Sequence, residues 1–262
     1  MKKKITILGG AGFIGHNLAI RLKSLGYQCQ IIDSLEVNNL KAKKHTNVRN
    51  KTLFNKVLHE RFQLLKKSKI NIIQNDLKKN SRFSKKIINF KPDIIIHLAA
   101  VSHANISNID PEYTFDNSLI TLMNTLKITK KIKSHLIFFS SSMVYGNFNG
   151  KKVDENTRCN PIGIYGNLKL AGEMMVKSYS HVFNFPYTII RPSALYGERC
   201  VSRRVGQIFI ENALQGFDLE INGDGKEKLD FTYIEDLIHG IERVILSKNS
   251  KNQIFNLTYG QG

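Results

Sequence analysis

Ile5-Thr6-Ile7-Leu8-Gly9-Gly10-Ala11-Gly12-Phe13-Ile14-Gly15 is an apolar run that breaks into glycines. Its first four residues read as a buried strand. Residues 17–25 then space their apolar side chains as a helix does and stop at Gly26, a residue suited to ending a helix. Residues 27–32 read as the next strand, closed by Asp33. Strand, glycine loop, helix and strand make a βαβ unit, which implies parallel strands joined by a right-handed crossover.

Working outward, residues 39–69 are polar and Lys-rich, with Leu53, Val57, Leu58, Phe62 and Leu65 as the apolar stripe of a helix. Further strands are expected at 70–73, 93–97, 136–139 and 187–190, with helical segments between them. The 93–97 strand is nearly all isoleucine, as in sheets covered on both faces. The alternation predicts an α/β fold, a doubly wound parallel sheet. After Ala194 the pattern loosens. Residues 203–215 read as a helix ended by Gly216, Gly223-Asp224-Gly225 as a turn, and Ile234–Leu246 as another helix. No terminal helix or strand is expected before Gly260-Gln261-Gly262.

The bulk properties narrow the field. With 262 residues, 42% of them hydrophobic, the chain can bury a full core. The formal net charge of +18 would attract polyanions, but the lysines are spread along the chain without an arginine-rich tract or zinc-finger spacing. A nucleic-acid partner is therefore not expected, whereas a diphosphate suits the same charge. Cys29, Cys159 and Cys200 form no CxxC pair and no metal spacing, so free thiols of a reducing cytoplasm are expected and no metal. No apolar stretch is long enough to span a membrane, and glycines interrupt the N-terminal run that could pass for a signal peptide.

The glycine loop has a physical task. Gly9, Gly12 and Gly15 suit a tight turn in which the backbone meets a pyrophosphate, while the following helix offers free N–H groups and the positive end of its dipole. Asp33 stands where a carboxylate can accept hydrogen bonds from an adenosine ribose; its charge would repel a 2′-phosphate, favouring NAD over NADP. The alternative for Asp33 is a plain turn residue. Asp76-Leu77 either flanks the adenine or forms a surface turn.

Tyr165-Gly166-Asn167-Leu168-Lys169 sets Tyr and Lys on one helix face. A free tyrosine, with a pKa of about 10, is a poor base at neutral pH. A neighbouring ammonium and a positive nicotinamide would favour the phenolate and so the abstraction of an alcohol proton. Lys169 can also hold the nicotinamide ribose, and Ser141, at the mouth of the 136–139 strand, can hydrogen-bond the same hydroxyl. An exposed helix pair is the alternative.

As a set, these motifs resemble the NAD-dependent epimerase/dehydratase family, the extended short-chain dehydrogenases. The resemblance spans essentially the whole chain and continues through His97-Leu98-Ala99-Ala100, Asn117, Ser140-Ser141-Ser142-Met143-Val144-Tyr145-Gly146, Arg191-Pro192, Tyr196-Gly197, Asp230-Phe231, and Tyr233 with Asp236. It implies an NAD-binding domain over residues 1–193, with 230–246 packing back on it, and a smaller substrate lobe over 194–262, shorter than in most relatives and expected to lack a part. It implies cofactor contacts at Gly9, Gly12, Phe13, Ile14, Gly15, Asp33, Asp76, Leu77, Ala99, Ala100, Asn117, Ser140 and Ser193, besides Tyr165 and Lys169. It places catalysis on Tyr165, Lys169 and Ser141, and implies a homodimer built on the helix of Tyr165.

Relatives share a first step, oxidation of a sugar hydroxyl on a nucleoside-diphosphate sugar. The family's 4,6-dehydratases follow their catalytic Thr with an Asp-Glu pair; here those positions are Ser142 and Met143, which lack that chemistry. The 3,5-epimerising branch has a Cys at the Met143 position. Oxidation and re-reduction from the opposite face remain, which is 4-epimerisation; a dehydratase or a reductase is the alternative, and a dinucleotide-sensing or nucleic-acid-binding protein the non-enzymatic one. Two departures weaken the expected grip on the diphosphate: Ala194 stands for the family's Asn and Leu229 for its Arg. Ser142, Arg199, Arg203, Arg204 and Lys228 are the candidate substrate contacts, a solvated basic face being the alternative for the cations.

Overall fold

The computed structural model describes residues 2–42, 50–148, 152–202, 204–221, 223–226 and 228–260, and the backbone alone of 80–83. Strand β1 (Lys4–Leu8) leads through helix α1 (Phe13–Ser24) to β2 (Gln28–Asp33), then α2 (Lys51–Lys67) and β3 (Asn71–Gln74). Helix α3 (Asn80–Phe90) precedes β4 (Ile94–His97); α4 (Ala104–Ile109), α5 (Pro111–Phe115), a π-helical turn (Asp116–Ile120) and α6 (Thr121–Ile132) precede β5 (His135–Phe139). Helix α7 (Gly163–Phe183) and β6 (Tyr187–Pro192) follow. After them come β7 (Ala194–Tyr196), α8 (Val205–Leu214), β8 (Phe231–Tyr233), α9 (Ile234–Leu246) and β9 (Gln253–Leu257).

Seven strands form one sheet in the order β3-β2-β1-β4-β5-β6-β9, all pairings parallel. The doubly wound parallel fold is thus as expected. Alternation along the strands fills two cores. Ile5, Ile7, Ile31, Ile94, Ile96, Ile137 and Ile190 face α1, α2 and α9, where Leu18, Leu22, Leu65, Leu237 and Ile241 meet them. Leu8, Ile32, Ile95, Leu136, Phe138 and Ile189 face the other way, against Ile87 of α3, Leu122 and Leu126 of α6 and Val176 of α7. Each such aliphatic side chain contributes about 1.5–3 kcal/mol by leaving water, which is why both faces demand helices.

Two expectations are corrected. Helix α1 begins at Phe13 rather than at residue 17, because the glycine loop passes straight into the first turn with Gly12 as its cap. A strand does close the described chain. Gln253–Leu257 pairs with β6 from Thr188↔Gln253 to Pro192↔Leu257, so these residues join the large sheet. Strands β7 and β8 form a separate two-stranded sheet beside it.

Candidate active site

The strand order reverses between β1 and β4, and the loops leaving those two strands open a crevice at their carboxyl ends, the place where such sheets bind ligands. Gly9, at φ +75°, turns there, and a Cβ on it would stand 2.7 Å from the Ala99 amide nitrogen. A Cβ on Gly15 would meet the Gly10 backbone at 2.4 Å, so α1 can lie on the loop only with glycine at that position. Helix α1 has no side-chain cap and no acidic residue in its first turn, which leaves its leading N–H groups to an anion.

One cleft gathers Gly9, Gly12, Phe13, Ile14, Gly15, Asp33, Asp76, Leu77, Ala99, Ala100, Asn117, Ser140, Ser141, Tyr165, Lys169, Ser193 and Arg204 along its walls. Asp33 is buried; its Oδ2 accepts from the Ala11 N–H at 2.9 Å and its Oδ1 from the Leu35 N–H at 2.7 Å. Burial pushes its carboxyl above the usual range, while those two N–H groups and the charge of Arg61 pull the other way. Asp76 accepts from the Lys78 N–H, and Asn124 of α6 donates to the carbonyls of Leu77 and Lys78, fixing that loop. Asn117 sits in the π-helical turn with its amide donating to the Tyr113 carbonyl; such turns widen a helix locally and recur at functional sites. The Ser140 hydroxyl is buried with no partner among the described residues. Uncapped helix end, Cβ-free turn and orphaned hydroxyl on one wall all suit a dinucleotide.

Tyr165, Lys169 and Glu173 share one face of α7, all buried. The Lys169 Nζ donates to the Phe139 carbonyl at 2.8 Å and stands 5.8 Å from the centre of the Tyr165 ring. Burial brings Lys169 down to about 8, opposed by the Glu173 charge. Burial raises the Tyr165 pKa, with the charge of Arg204 and a hydrogen bond with Ser141 opposing. Desolvation of the phenolate thus outweighs the cations present. Behind this face, Arg191 grips Glu173 through two hydrogen bonds of 2.8 and 2.7 Å and donates at 2.8 Å to the Tyr145 hydroxyl, which donates to Asn256 of β9.

The candidate substrate contacts divide. Arg204 lines the cleft and donates to the Ser102 carbonyl at 3.3 Å. The Arg199 guanidinium is taken up by His16, Asn17 and Glu60, between α1 and α2, and does not line the cleft. Lys228 is exposed away from the cleft wall, and Ser142 is half-buried off it. Arg203 lies outside the described residues. The sequence reading missed Arg61, buried on α2 yet lining the cleft; its signal was a cation in line with Leu58 and Leu65. His97 packs in the core, stacked on Phe138 and hydrogen-bonded to Thr125, and burial brings it down to about 3.

Fold and cleft together define a dinucleotide-binding class of α/β protein, with Tyr165, Lys169 and Ser141 side by side on the cleft wall. Residues 5–258 match the NAD dependent epimerase/dehydratase family. The chain belongs to that family of NAD-dependent enzymes. It is 31% identical to the uncharacterized UDP-glucose epimerase YtcB of Bacillus subtilis, over 92% of this chain and 72% of that one. It is 26% identical to the human dTDP-D-glucose 4,6-dehydratase, over 97% of this chain and 69% of that one. Its structure matches that of UDP-glucuronic acid 4-epimerase from Bacillus cereus, solved in complex with UDP-glucuronic acid and NAD. The TM-score is 0.85 and the identity 29%, covering 97% of this chain and 77% of that one.

Proposed function

We propose that this protein is a 4-epimerase of a nucleoside-diphosphate sugar, with Tyr165 as base and acid, Lys169 and Ser141 as its partners, and NAD held along the wall from Gly9 to Ser193. The observation that carries the reading is the makeup of the cleft. Its only carboxylates among the described residues are Asp33, the last residue of β2, and Asp76, just after β3, whereas Tyr165 and Lys169 come from α7 and Ser141 from the loop after β5. Water elimination needs an acid beside the sugar, and Met143, 42% exposed, occupies the family's position for it. The epimerases among the relatives and structures support the same outcome.

In this reading bound NAD supplies the hydride acceptor for oxidation and the donor for its return. Tyr165 Oη takes the C4 hydroxyl proton, Ser141 holds that oxygen, and Lys169 keeps the phenolate stabilised. Once the keto-sugar has turned its other face, Tyr165 returns the proton to the C4 oxygen. Arg204, on the same wall, would face the diphosphate, and residues 194–233 beside the large sheet would cover the nucleotide. The reading includes a cytoplasmic homodimer joined through α7, whose Met174 and Val182 are exposed on its outer side.

The test is a panel of nucleoside-diphosphate sugars incubated with the full chain and NAD, with products read by NMR and mass. Inversion at C4 with unchanged mass is expected. Loss of the mass of one water would replace epimerisation by dehydration.

A further inference from the structure

Arg61 is 1% exposed and yet borders the cleft that Asp33 borders. Its Nε donates at 3.0 Å to the Arg199 carbonyl, and its Nη2 donates to the same oxygen. A guanidinium carries five N–H donors. Two bonds on one carbonyl leave the Nη1 donors without a partner among the described residues. Nor does Arg61 form an ion pair among them, although Cys200 and, more weakly, Asp33 support its charge while Arg199 opposes it. A buried cation whose hydrogen bonds go to a single carbonyl is costly, and an anion entering the cleft would offset that cost. Burial brings Arg61 down to about 10, so it stays a cation at neutral pH. Asp33 cannot swing to meet it, because both its oxygens are fixed by the Ala11 and Leu35 N–H groups.

We propose that Arg61 is a second, latent reader of the adenosine ribose, and that the Asp33 charge alone keeps a 2′-phosphate out of this cleft. With that charge removed, the free face of Arg61 binds the phosphate and the cleft accepts NADP. Arginine suits the role, because its planar fork matches phosphate oxygens. The inference rests on the reading of the cleft as an NAD site with its ribose at Asp33.

The experiment is isothermal titration of the full chain with NAD+ and with NADP+, for the native sequence, Asp33→Ser, Arg61→Met and the double variant. The native protein binds NAD+ and discriminates against NADP+. Asp33→Ser tightens NADP+ binding by on the order of 10- to 100-fold, the range of one or two charge-assisted hydrogen bonds, and Arg61→Met in that background abolishes the gain. Asp33→Asn, which keeps an acceptor for the Ala11 N–H, replaces Asp33→Ser if thermal melting shows that variant unfolded. A native protein that binds neither nucleotide defeats the NAD reading itself. Native binding of NAD+ with no NADP+ gain in either Asp33 variant, or a gain that survives Arg61→Met, overturns the role of Arg61.

Discussion

At the residue scale the site turns on competition between burial and charge. Tyr165 and Lys169 are both pushed toward their neutral forms by desolvation, the phenol upward and the ammonium down to about 8. Proton abstraction therefore depends on what the loaded cleft adds. Tyr165→Phe is expected to keep its NAD, measured as nucleotide per chain, while turnover falls by about 10²- to 10⁴-fold, the usual worth of a positioned acid–base group. Unchanged turnover would remove Tyr165 from the chemistry. These residues were legible in the sequence because spacing of four on a helix, a serine ending a strand and glycines between strand and helix are local signals. Arg61 was not, because its hydrogen-bond partner is 138 residues away. The fate of Arg199 was equally hidden, since nothing in its own neighbourhood announces His16 and Glu60.

At the element scale α7 carries the residues of the proposed chemistry. Positions 165, 169 and 173 line one face, and Glu173 ties that face to β6 through Arg191. Breaking one partner of a buried ion pair costs about 3–5 kcal/mol. Glu173→Gln is expected to lose that much in denaturant-induced unfolding. The change also removes the negative charge that supports the Lys169 ammonium, so the basic limb of the turnover–pH profile should move down. A stability loss with an unmoved profile would leave Glu173 a purely structural residue. Strands and helices of the sheet were readable from runs of isoleucine and apolar stripes. The π-helical turn at Asp116–Ile120 was not, because its sequence, Asp-Asn-Ser-Leu-Ile, carries no mark of the wider winding.

At the scale of the molecule, buried histidines make folding sensitive to acid. Burial holds His16 and His97 at about 3 and His135 at about 4, all below the ordinary histidine value of about 6.5. The unfolded chain takes up protons that the native one refuses between those limits. Stability is therefore complete above about pH 6.5 and falls as the pH drops toward 4. At pH 5 each histidine is expected to cost roughly 2 kcal/mol. Asp33, raised by burial, works in the opposite sense. Denaturant unfolding at pH 7 and pH 5 checks this, and equal midpoints would contradict it. The parallel sheet was legible as a whole, but its last strand was not: Gln253 and Asn256 interrupt the apolar run of Gln253–Leu257, and its partner β6 lies upstream of α9. That late strand sets an order of assembly. On the ribosome the half of the sheet built from β1, β2 and β3 can close around its glycine turn early. The side bearing Arg191 stays unzipped until Asn256 emerges to sit opposite it and take the Tyr145 hydroxyl. A nascent chain thus can form its glycine turn well before it completes the wall behind α7.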